Sequence, residues 1–453
     1  MHKTAKFSLD DTIVGVSAPT GGSISIIRIS GFNALPILSK VFACKNKGKF
    51  ESHRIYYGWI MDSNGQKIDE VLVNIMLAPK TFTRQDVVEI NCHGGSLAVE
   101  KILMLLLEQG ARLAEAGEFT KRAFLAGRID LSQAEAVMDI ISARSEMSHK
   151  AAISQLSGRL ATLLGTCSND LLNMLAAIEM AIDYPEHEEA EIVAEDVRAG
   201  LENILTQIEK LLATATQGKL IREGIKTAII GRPNVGKSSL LNALMGQERA
   251  IVTHVAGTTR DVLRETIKIG DIFLTIADTA GIRDTDDIVE SQGVARSIKE
   301  GEEADLVLFV LDGSQELDKA LPCQSQWQNV ITIINKSDLP QKIDLEKIQP
   351  PFAAISAKNN IGIDELSDKI KEIFKINNMQ YSQDIVTNTR HINLLKAAKG
   401  SINAAINAIN AGIFIDLAAI DIQDAYAAIG EITGAVVDEE LIDRIFSEFC
   451  LGK

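Results

Sequence analysis

Residues 227–231, Thr-Ala-Ile-Ile-Gly, form a short β-branched run that passes directly into Gly231-Arg232-Pro233-Asn234-Val235-Gly236-Lys237-Ser238, and residues 239–245 behind it read as a helix. G-x-x-x-x-G-K-S between a strand and a helix is compatible with few folds. The strand needs a sheet to hold it, and the helix must present its free backbone N–H groups to a phosphate. Glycines at both ends let the backbone wrap that phosphate. Lys237 then reaches the β- and γ-phosphates of a nucleotide, and Ser238 can ligate Mg2+.

The chain around this unit changes texture several times. Its 453 residues predict about two to four domains at ~100–200 residues each. Residues 1–125 carry short strand-like runs, Ile24–Ile29, Ile55–Ile60, Val71–Leu77 and Val87–Asn91, then a Gly94-Gly95 turn and a helical pattern over 98–109. That predicts a mixed α/β domain. From Leu131 to Gln217 the one proline is Pro185, and Leu171, Met174, Leu175, Ile178 and Ile182 recur at helical spacing. Two or more long helices are expected, interrupted near 183–190, in a first helical segment over 126–218. Strand–turn–helix alternation returns over 219–378, and 379–453 is again Ala/Ile/Leu-rich with helical spacing. The simplest topology is a helical domain built from two separate pieces of chain, with an α/β domain inserted between them. The expected fold class is therefore multidomain α/β plus all-α.

The formal net charge of −15 disfavours nucleic-acid binding by bulk electrostatics, because affinity there comes largely from neutralising phosphates. The charge is localised, however. Residues 183–202 hold eight acids and one base, and residues 416–448 hold nine acids and one base (Arg444), so net −7 and −8 account for all of it. The other 400 residues carry 44 acids and 44 bases. No run of 18 or more apolar residues occurs, so no transmembrane helix is expected. The opening MHKTAKFSLDD has no apolar core of the kind a secretory signal needs. Cys44, Cys92, Cys167, Cys323 and Cys450 are scattered without a CxxC pair, which argues against a disulfide framework or zinc site and favours a reducing cytoplasm.

Further motifs specify the base and the γ-phosphate. Asn335-Lys336-Ser337-Asp338 follows the apolar run Val330–Ile334. A carboxylate at Asp338 pairs with the guanine N1 and N2 donors, a pair that adenine lacks, so this segment selects GTP. Ser356-Ala357-Lys358 ends another strand-like run, where a backbone N–H can bind guanine O6. Asp278-Thr279-Ala280-Gly281 ends the run Ile272–Ala277, placing an aspartate to hold Mg2+ through water and a glycine N–H to sense the γ-phosphate. Gly257-Thr258-Thr259-Arg260-Asp261 lies between, and Thr259 is the candidate to complete the Mg2+ shell. One part is missing: Ras-like GTPases orient the attacking water with a glutamine just after D-x-x-G, and here Ile282 stands there. Glu290 is a candidate for that task, although it also reads as a solvated acid beside Asp284, Asp286 and Asp287.

The loop GRPNVGKSSLLNAL with GTTRDV, DTAGIR and NKSD resembles the Era/EngA/TrmE class of GTPases. IIRISG (26–31), HGG (93–95), GEFTKRAFLAGRIDLSQAEA (117–136), LIREG (220–224) and the terminal FCLGK (449–453) narrow the resemblance to the MnmE (TrmE) family of tRNA modification GTPases, across nearly the whole chain. The chain departs from the family at Ala116, commonly proline, and at Ala126, often asparagine. The resemblance implies an N-terminal folate-binding and dimerisation domain, a discontinuous helical domain and an inserted Ras-like P-loop G domain. It implies a homodimer that joins an FAD-dependent MnmG (GidA) family protein as a heterotetramer. Together they would add a carboxymethylaminomethyl or aminomethyl group to C5 of the wobble uridine, position 34, of certain tRNAs. A tetrahydrofolate derivative, in its 5-formyl or 5,10-methylene form, would supply the one-carbon unit.

The resemblance also implies site residues. GTP would be held by Asn234, Val235, Gly236, Lys237, Ser238, Ser239, Thr253, His254, Val255, Ala256, Gly257, Thr258, Thr259, Asp278, Thr279, Ala280, Gly281, Asn335, Lys336, Asp338, Ser356, Ala357 and Lys358. K+ would stand in for an arginine finger, ligated by Asn234 and by positions matching Thr253, Val255 and Thr258, with Mg2+ on Ser238 and Thr259. Glu290 would orient the water, with Lys237 as the catalytic cation. Folate would be held by Arg28, Glu89, Arg128 and Lys453. Cys450 reads as a packed thiol or as a group with a chemical role beside the folate. Its Leu-Gly-Lys ending suits prenylation poorly. The acidic helical stretches would then serve to bind protein, with tRNA held mainly by the partner. A ribosome-assembly GTPase of the Era/EngA type is the competing reading. It would need a KH module or a second G domain, and neither pattern is present.

Overall fold

The computed structural model describes residues 10–18, 20–45, 49–183, 190–247, 266–270, 272–276, 299–316, 327–345, 348, 350–376, 385–450 and 452. The N-terminal unit runs β1 (Ile13–Val16), β2 (Ile24–Ser30), α1 (Ala34–Val41), β3 (Phe42–Cys44), β4 (Arg54–Met61), β5 (Lys67–Met76), β6 (Val87–His93), α2 (Ser96–Glu108), β7 (Arg112–Leu113) and α3 (Glu118–Leu125). Its strands form one sheet in the order β3-β4-β5-β6-β2-β1-β7. Every pairing is antiparallel except β1 with β7. Inward residues of β2, β5 and β6 (Ile27, Ile29, Val73, Ile75, Val88, Ile90) pack against Ile37 and Leu38 of α1 and Ile102 and Leu106 of α2. The strand runs expected from the sequence are present, with β5 starting four residues earlier than Val71. β1, β3, β7, α1 and α3 have no counterpart among the runs expected from the sequence.

Then follow α4 (Leu131–Ser142), α5 (Glu146–Leu156), α6 (Arg159–Asp183), α7 (Ala190–Ala213) and α8 (Ala215–Glu223). α4 starts at a capping box, in which Asp130 accepts from the Gln133 N–H and the Gln133 side chain accepts from the Asp130 N–H. The inserted unit comprises β8 (Ile225–Ile230), α9 (Lys237–Gln247), β9 (Thr266–Ile269), β10 (Ile272–Ile276), β11 (Leu306–Asp312), β12 (Val330–Asn335), β13 (Phe352–Ala354) and α10 (Ile363–Ile373). Its sheet order is β13-β12-β11-β8-β10-β9, all parallel but for the β9–β10 hairpin. The chain closes with α11 (Thr389–Asn410), α12 (Ile415–Thr433) and α13 (Glu439–Ser447).

The two helical pieces share one core. Leu164, Leu171 and Ile178 of α6 and Leu201, Ile204 and Ile208 of α7 pack with Leu395 and Ile402 of α11 and Ile422 and Ile429 of α12. Each such side chain is worth about 1.5–3 kcal/mol of burial. Neither piece can bury its apolar stripe alone, which is why the helical domain is discontinuous. α13 departs from this bundle: Ile442 and Phe446 join Phe449, Ala123, Leu131 and Ala134 in a separate cluster beside α3 and α4. The acidic stretch 416–448 is therefore split between the bundle and the N-terminal side.

The crossings into and out of the inserted unit touch each other and α4. The Val386 N–H donates to Thr214 Oγ1 at 3.1 Å, and a Cβ on Gly218 would meet the Val386 carbonyl oxygen at 2.0 Å. Arg222 Nε of α8 donates to Asp139 Oδ1 of α4 at 2.8 Å. One turn away, Glu135 accepts from Arg390 Nε and Nη2 of α11 at 3.0 and 2.8 Å, and His391 Nε2 lies 2.6 Å from its Oε2. Burial alone would raise the pKa of Glu135, but His391 and Arg390 outweigh it and hold that pKa at about 2.

Candidate functional site

The phosphate loop leaves the C-terminal end of β8, which sits between β10 and β11 in the inserted sheet. Ligands of open α/β sheets bind at this edge, where successive connections go opposite ways. Asn234 (φ +62°) and Gly236 (φ +100°) adopt left-handed backbone, and α9 begins at Lys237. The turn is packed too closely for side chains at its glycines. A Cβ on Gly231 would lie 2.5 Å from the Val310 carbonyl oxygen, and one on Gly236 would lie 2.1 Å from Asn335 Nδ2. Lys237 Nζ donates to the carbonyls of Gly231 and Arg232 at 2.8 and 2.9 Å, curled over the loop. Its partial burial lowers its pKa.

The base-reading segments meet this loop through one side chain. Asn335, the last residue of β12, donates Nδ2 to the Val235 carbonyl at 2.8 Å and accepts at Oδ1 from the Ala357 N–H at 3.0 Å. It thereby joins the phosphate loop to the Ser356-Ala357-Lys358 turn. Lys336 (φ +64°) donates to the Asn234 carbonyl at 3.1 Å and to Asp312 Oδ2 at 2.6 Å. Asp338 accepts from Ser356 Oγ at 2.6 Å, and that hydrogen bond leads the causes that lower its pKa. Asn234, Val235, Gly236, Lys237, Ser238, Ser239, Asn335, Lys336, Asp338, Ser356, Ala357 and Lys358 thus lie along the edge formed by β8, α9, β12 and the turn after β13. Thr253, His254, Val255, Ala256, Gly257, Thr258, Thr259, Asp278, Thr279, Ala280, Gly281 and Glu290 lie outside the described residues, as do Cys323 and Lys453.

Asp312 was not singled out from the sequence. It ends β11 directly opposite Asn335 in the parallel register. Burial alone would raise its pKa, but hydrogen bonds from Lys336 and Ser314 outweigh that and lower it. The available signal was its place as the polar terminus of an apolar strand, LVLFVLD, parallel to the one ending in Asn335.

In the N-terminal unit, Arg28 and Glu89 are cross-strand partners on β2 and β6, in the sheet interior rather than at an edge. Arg28 Nε donates to Glu89 Oε1 at 2.9 Å, and the Arg28 guanidinium lies 5.5 Å from the centre of the Phe119 ring. Arg128 stacks at 4.7 Å on Phe82, which packs against the cluster that holds Phe119. The C-terminal tail reaches the same wall. Gly15, register partner of Arg28, lies against both: an added Cβ would meet Phe119 Cε2 at 3.3 Å, a tight contact, and Gly452 Cα at 3.5 Å, an ordinary one. Ser17 Oγ donates to the Gly452 carbonyl at 3.0 Å, and the Gly117 N–H to the Cys450 carbonyl at 3.4 Å. Arg28, Glu89 and Arg128 are therefore gathered around Phe119 and Phe82, and the partly exposed Cys450 lies on the tail segment whose backbone meets Gly117.

Among the described residues no helix is long and apolar enough to cross a membrane. Residues 12–128 match the family described as GTP-binding protein TrmE N-terminus, and residues 131–450 match the MnmE helical domain family. The tRNA modification GTPase MnmE of Ligilactobacillus salivarius is 48% identical over 456 residues, covering 98% of each chain. That of Streptococcus thermophilus is 49% identical over 450 residues, again covering 98% of each. Among solved structures, the FeoB G-domain of Methanococcus jannaschii covers 33% of this chain and 97% of its own at 24% identity, with a TM-score of 0.25, too loose an overlap to carry weight. End-to-end likeness at this identity, with both terminal and helical domains matched, means that the chain belongs to the MnmE family of tRNA modification GTPases.

Proposed function

We propose that this chain hydrolyses GTP, with K+ required, to drive modification of the wobble uridine of tRNA. The observation that carries this reading is the bridge made by Asn335, which fixes the phosphate loop and the guanine-reading turn in one frame at the sheet edge. Lys237 faces the β- and γ-phosphates, Asp338 reads guanine, Ser238 and Thr259 hold Mg2+, and Glu290 orients the attacking water. Asn234, with the positions Thr253, Val255 and Thr258, would hold K+. When bound, it supplies the positive charge beside the phosphates that an arginine finger supplies elsewhere.

The N-terminal wall is the proposed tetrahydrofolate site, and its residues suit the ligand. Glu89 offers a carboxylate to pterin N–H groups, and Arg28, Arg128 and Lys453 offer cations to the glutamate tail. Phe119 and Phe82 add flat apolar surface. The protein works as a homodimer in the cytoplasm with an FAD-dependent MnmG (GidA) family protein, adding a carboxymethylaminomethyl or aminomethyl group at C5 of uridine 34. The division 1–125, 126–218, 219–378 and 379–453 remains the proposed domain plan. GTP hydrolysis measured in matched KCl and NaCl buffers tests the K+ requirement. Strong stimulation by KCl alone is expected, and equal rates would defeat it.

A further inference from the structure

One buried oxygen joins the segments that carry the arginines of the N-terminal wall. Gln85 Oε1 accepts from Ser30 Oγ and from Arg122 Nη1, each at 3.1 Å. Ser30 ends β2, two residues after Arg28. Arg122 lies on α3, three residues after Phe119. Gln85 itself belongs to the loop that carries Phe82. Within that loop Thr81 Oγ1 donates to the Gln85 carbonyl at 2.6 Å, and Thr83 Oγ1 lies 2.7 Å from Ser30 Oγ. The two rings in turn carry the two arginines, Arg28 over Phe119 and Arg128 over Phe82.

Charge holds this junction from behind. Arg122 is fully buried, and it also donates to the Asp11 carbonyl at 2.8 Å, to the Asp11 carboxylate and to Glu118 Oε1 at 2.9 Å. Glu118, equally buried, accepts from Arg112 Nη2 at 2.6 Å and from the Glu115 N–H at 2.8 Å. Arg112 Nε donates to Asp11 at 2.6 Å, so two acids balance two arginines. Arg84 Nη1 adds an outer stitch from the same loop to the Ala126 carbonyl at 2.8 Å, two residues before Arg128. Stability alone does not account for such a network, because well-packed apolar residues of similar volume often replace a buried ion pair at no loss. What satisfied hydrogen bonds in a low-dielectric interior provide is one fixed geometry. Here they fix Phe119 relative to Phe82, and through the rings Arg28 relative to Arg128.

We infer that Gln85 and Arg122 are positioning residues that set Arg28 and Arg128 in one frame and thereby select a ligand with a dicarboxylate tail. The inference rests on the reading of this wall as a folate site. Charge-assisted hydrogen bonds depend on distance and direction. Two cations held independently would each read whichever carboxylate came near, whereas two held in one frame read both carboxylates of a glutamate at once.

The test separates the tail of the ligand from its ring. Full-length protein is titrated calorimetrically with 5-formyltetrahydrofolate and with the same compound carrying its glutamate as the diamide. The wild type should bind the acid at least about tenfold more tightly than the diamide, the factor expected of a hydrogen bond to a charged group. Gln85→Leu removes the shared acceptor and should cut that preference to about threefold or less, with the diamide's affinity held within about twofold. Arg122→Lys keeps the charge against Glu118 and Asp11 but loses the forked donors, and should act in the same way. Gln85→Glu restores an acceptor and should keep the full preference. Hydrogen exchange in β4 and β5, which take no part in the network, checks that each variant folds, and Arg122→Lys carries the test should Gln85→Leu fail to fold. A full preference in a folded Gln85→Leu or Arg122→Lys would overturn the inference, as would equal weakening of both ligands, which is the mark of a merely structural role. A wild type that binds acid and diamide alike would overturn it too. A wild type that binds neither would instead overturn the folate reading, and the inference with it.

Discussion

Glu135→Gln should loosen the molecule where the two helical pieces meet α4. The substitution keeps the shape of the side chain and removes its charge, leaving Arg390 without its carboxylate partner and His391 without the oxygen it faces, in a site where Glu135 is 8% and His391 0% exposed. Its magnitude follows from the shift in titration. The carboxyl falls from 4.5 to about 2 on folding, and at about 1.4 kcal/mol per unit the charged form contributes roughly 3 kcal/mol. Breaking one side of a buried ion pair costs ~3–5 kcal/mol by independent reckoning. Because the folded pKa is depressed, this contribution is complete above pH 4.5 and disappears as the pH falls toward about 2. A comparison at pH 7 therefore captures all of it. Hydrogen exchange read by mass spectrometry is the appropriate assay, since a protein of several units does not unfold in one step. At tenfold per ~1.4 kcal/mol, amides at the end of α4 and the start of α11 should exchange roughly a hundredfold faster. Peptides from β2 and β11 should be unchanged. A rise of less than about threefold at α4, or an equal rise in β11, would refute the assignment of this network as a local clamp.

Lys237→Ala should reduce GTP turnover at least ~100-fold, the usual loss when one donor to developing phosphate charge is removed, while thermal unfolding stays put. Asp338→Asn should exchange the carboxylate for an amide that suits xanthine better than guanine. GTP affinity should drop and XTP affinity rise, as measured by competition against a fluorescent nucleotide. Gly452→Ala should release the tail, because φ is +86° there and an added Cβ would lie 2.1 Å from the Val16 carbonyl oxygen. Faster alkylation of Cys450 with unaltered GTP hydrolysis is the expected signature, and an unchanged rate would count against tail docking.

What the sequence revealed depended on how local each signal was. The phosphate loop occupies eight consecutive residues between a strand and a helix, and the guanine-reading segments each end a strand, so their meeting at one sheet edge could be anticipated. The helical spacing of Leu171 and Ile178 pointed to a bundle, and the matching texture after residue 379 pointed to its second half. β1 was hidden because Gly15 breaks its β-branched pattern, at a position where Phe119, Ala114 and Gly452 pack closely on the strand. α1 carries Pro36 in its first turn, where a helix tolerates it but a pattern search does not expect it. Contacts between distant residues left no trace. Glu135 and His391 are 256 positions apart and Ser17 and Gly452 are 435 apart. Asp312 is one acid among 61, distinguished only by the strand beside it. The net charge looked like one property of a helical domain, yet α13 carries part of it to the side of α3, where Lys121 pairs with Asp443 at 2.5 Å.

On the proposed reading, this chain turns GTP hydrolysis into modification of the tRNA wobble base. Mass spectrometry of tRNA nucleosides from a strain lacking the gene, complemented either with the wild-type chain or with Lys237→Ala, tests it most directly. C5-aminomethyl-type uridines should disappear in the deletion strain, return with the wild type and stay absent with Lys237→Ala. Normal wobble uridines in the uncomplemented strain, or full restoration by Lys237→Ala, would contradict it.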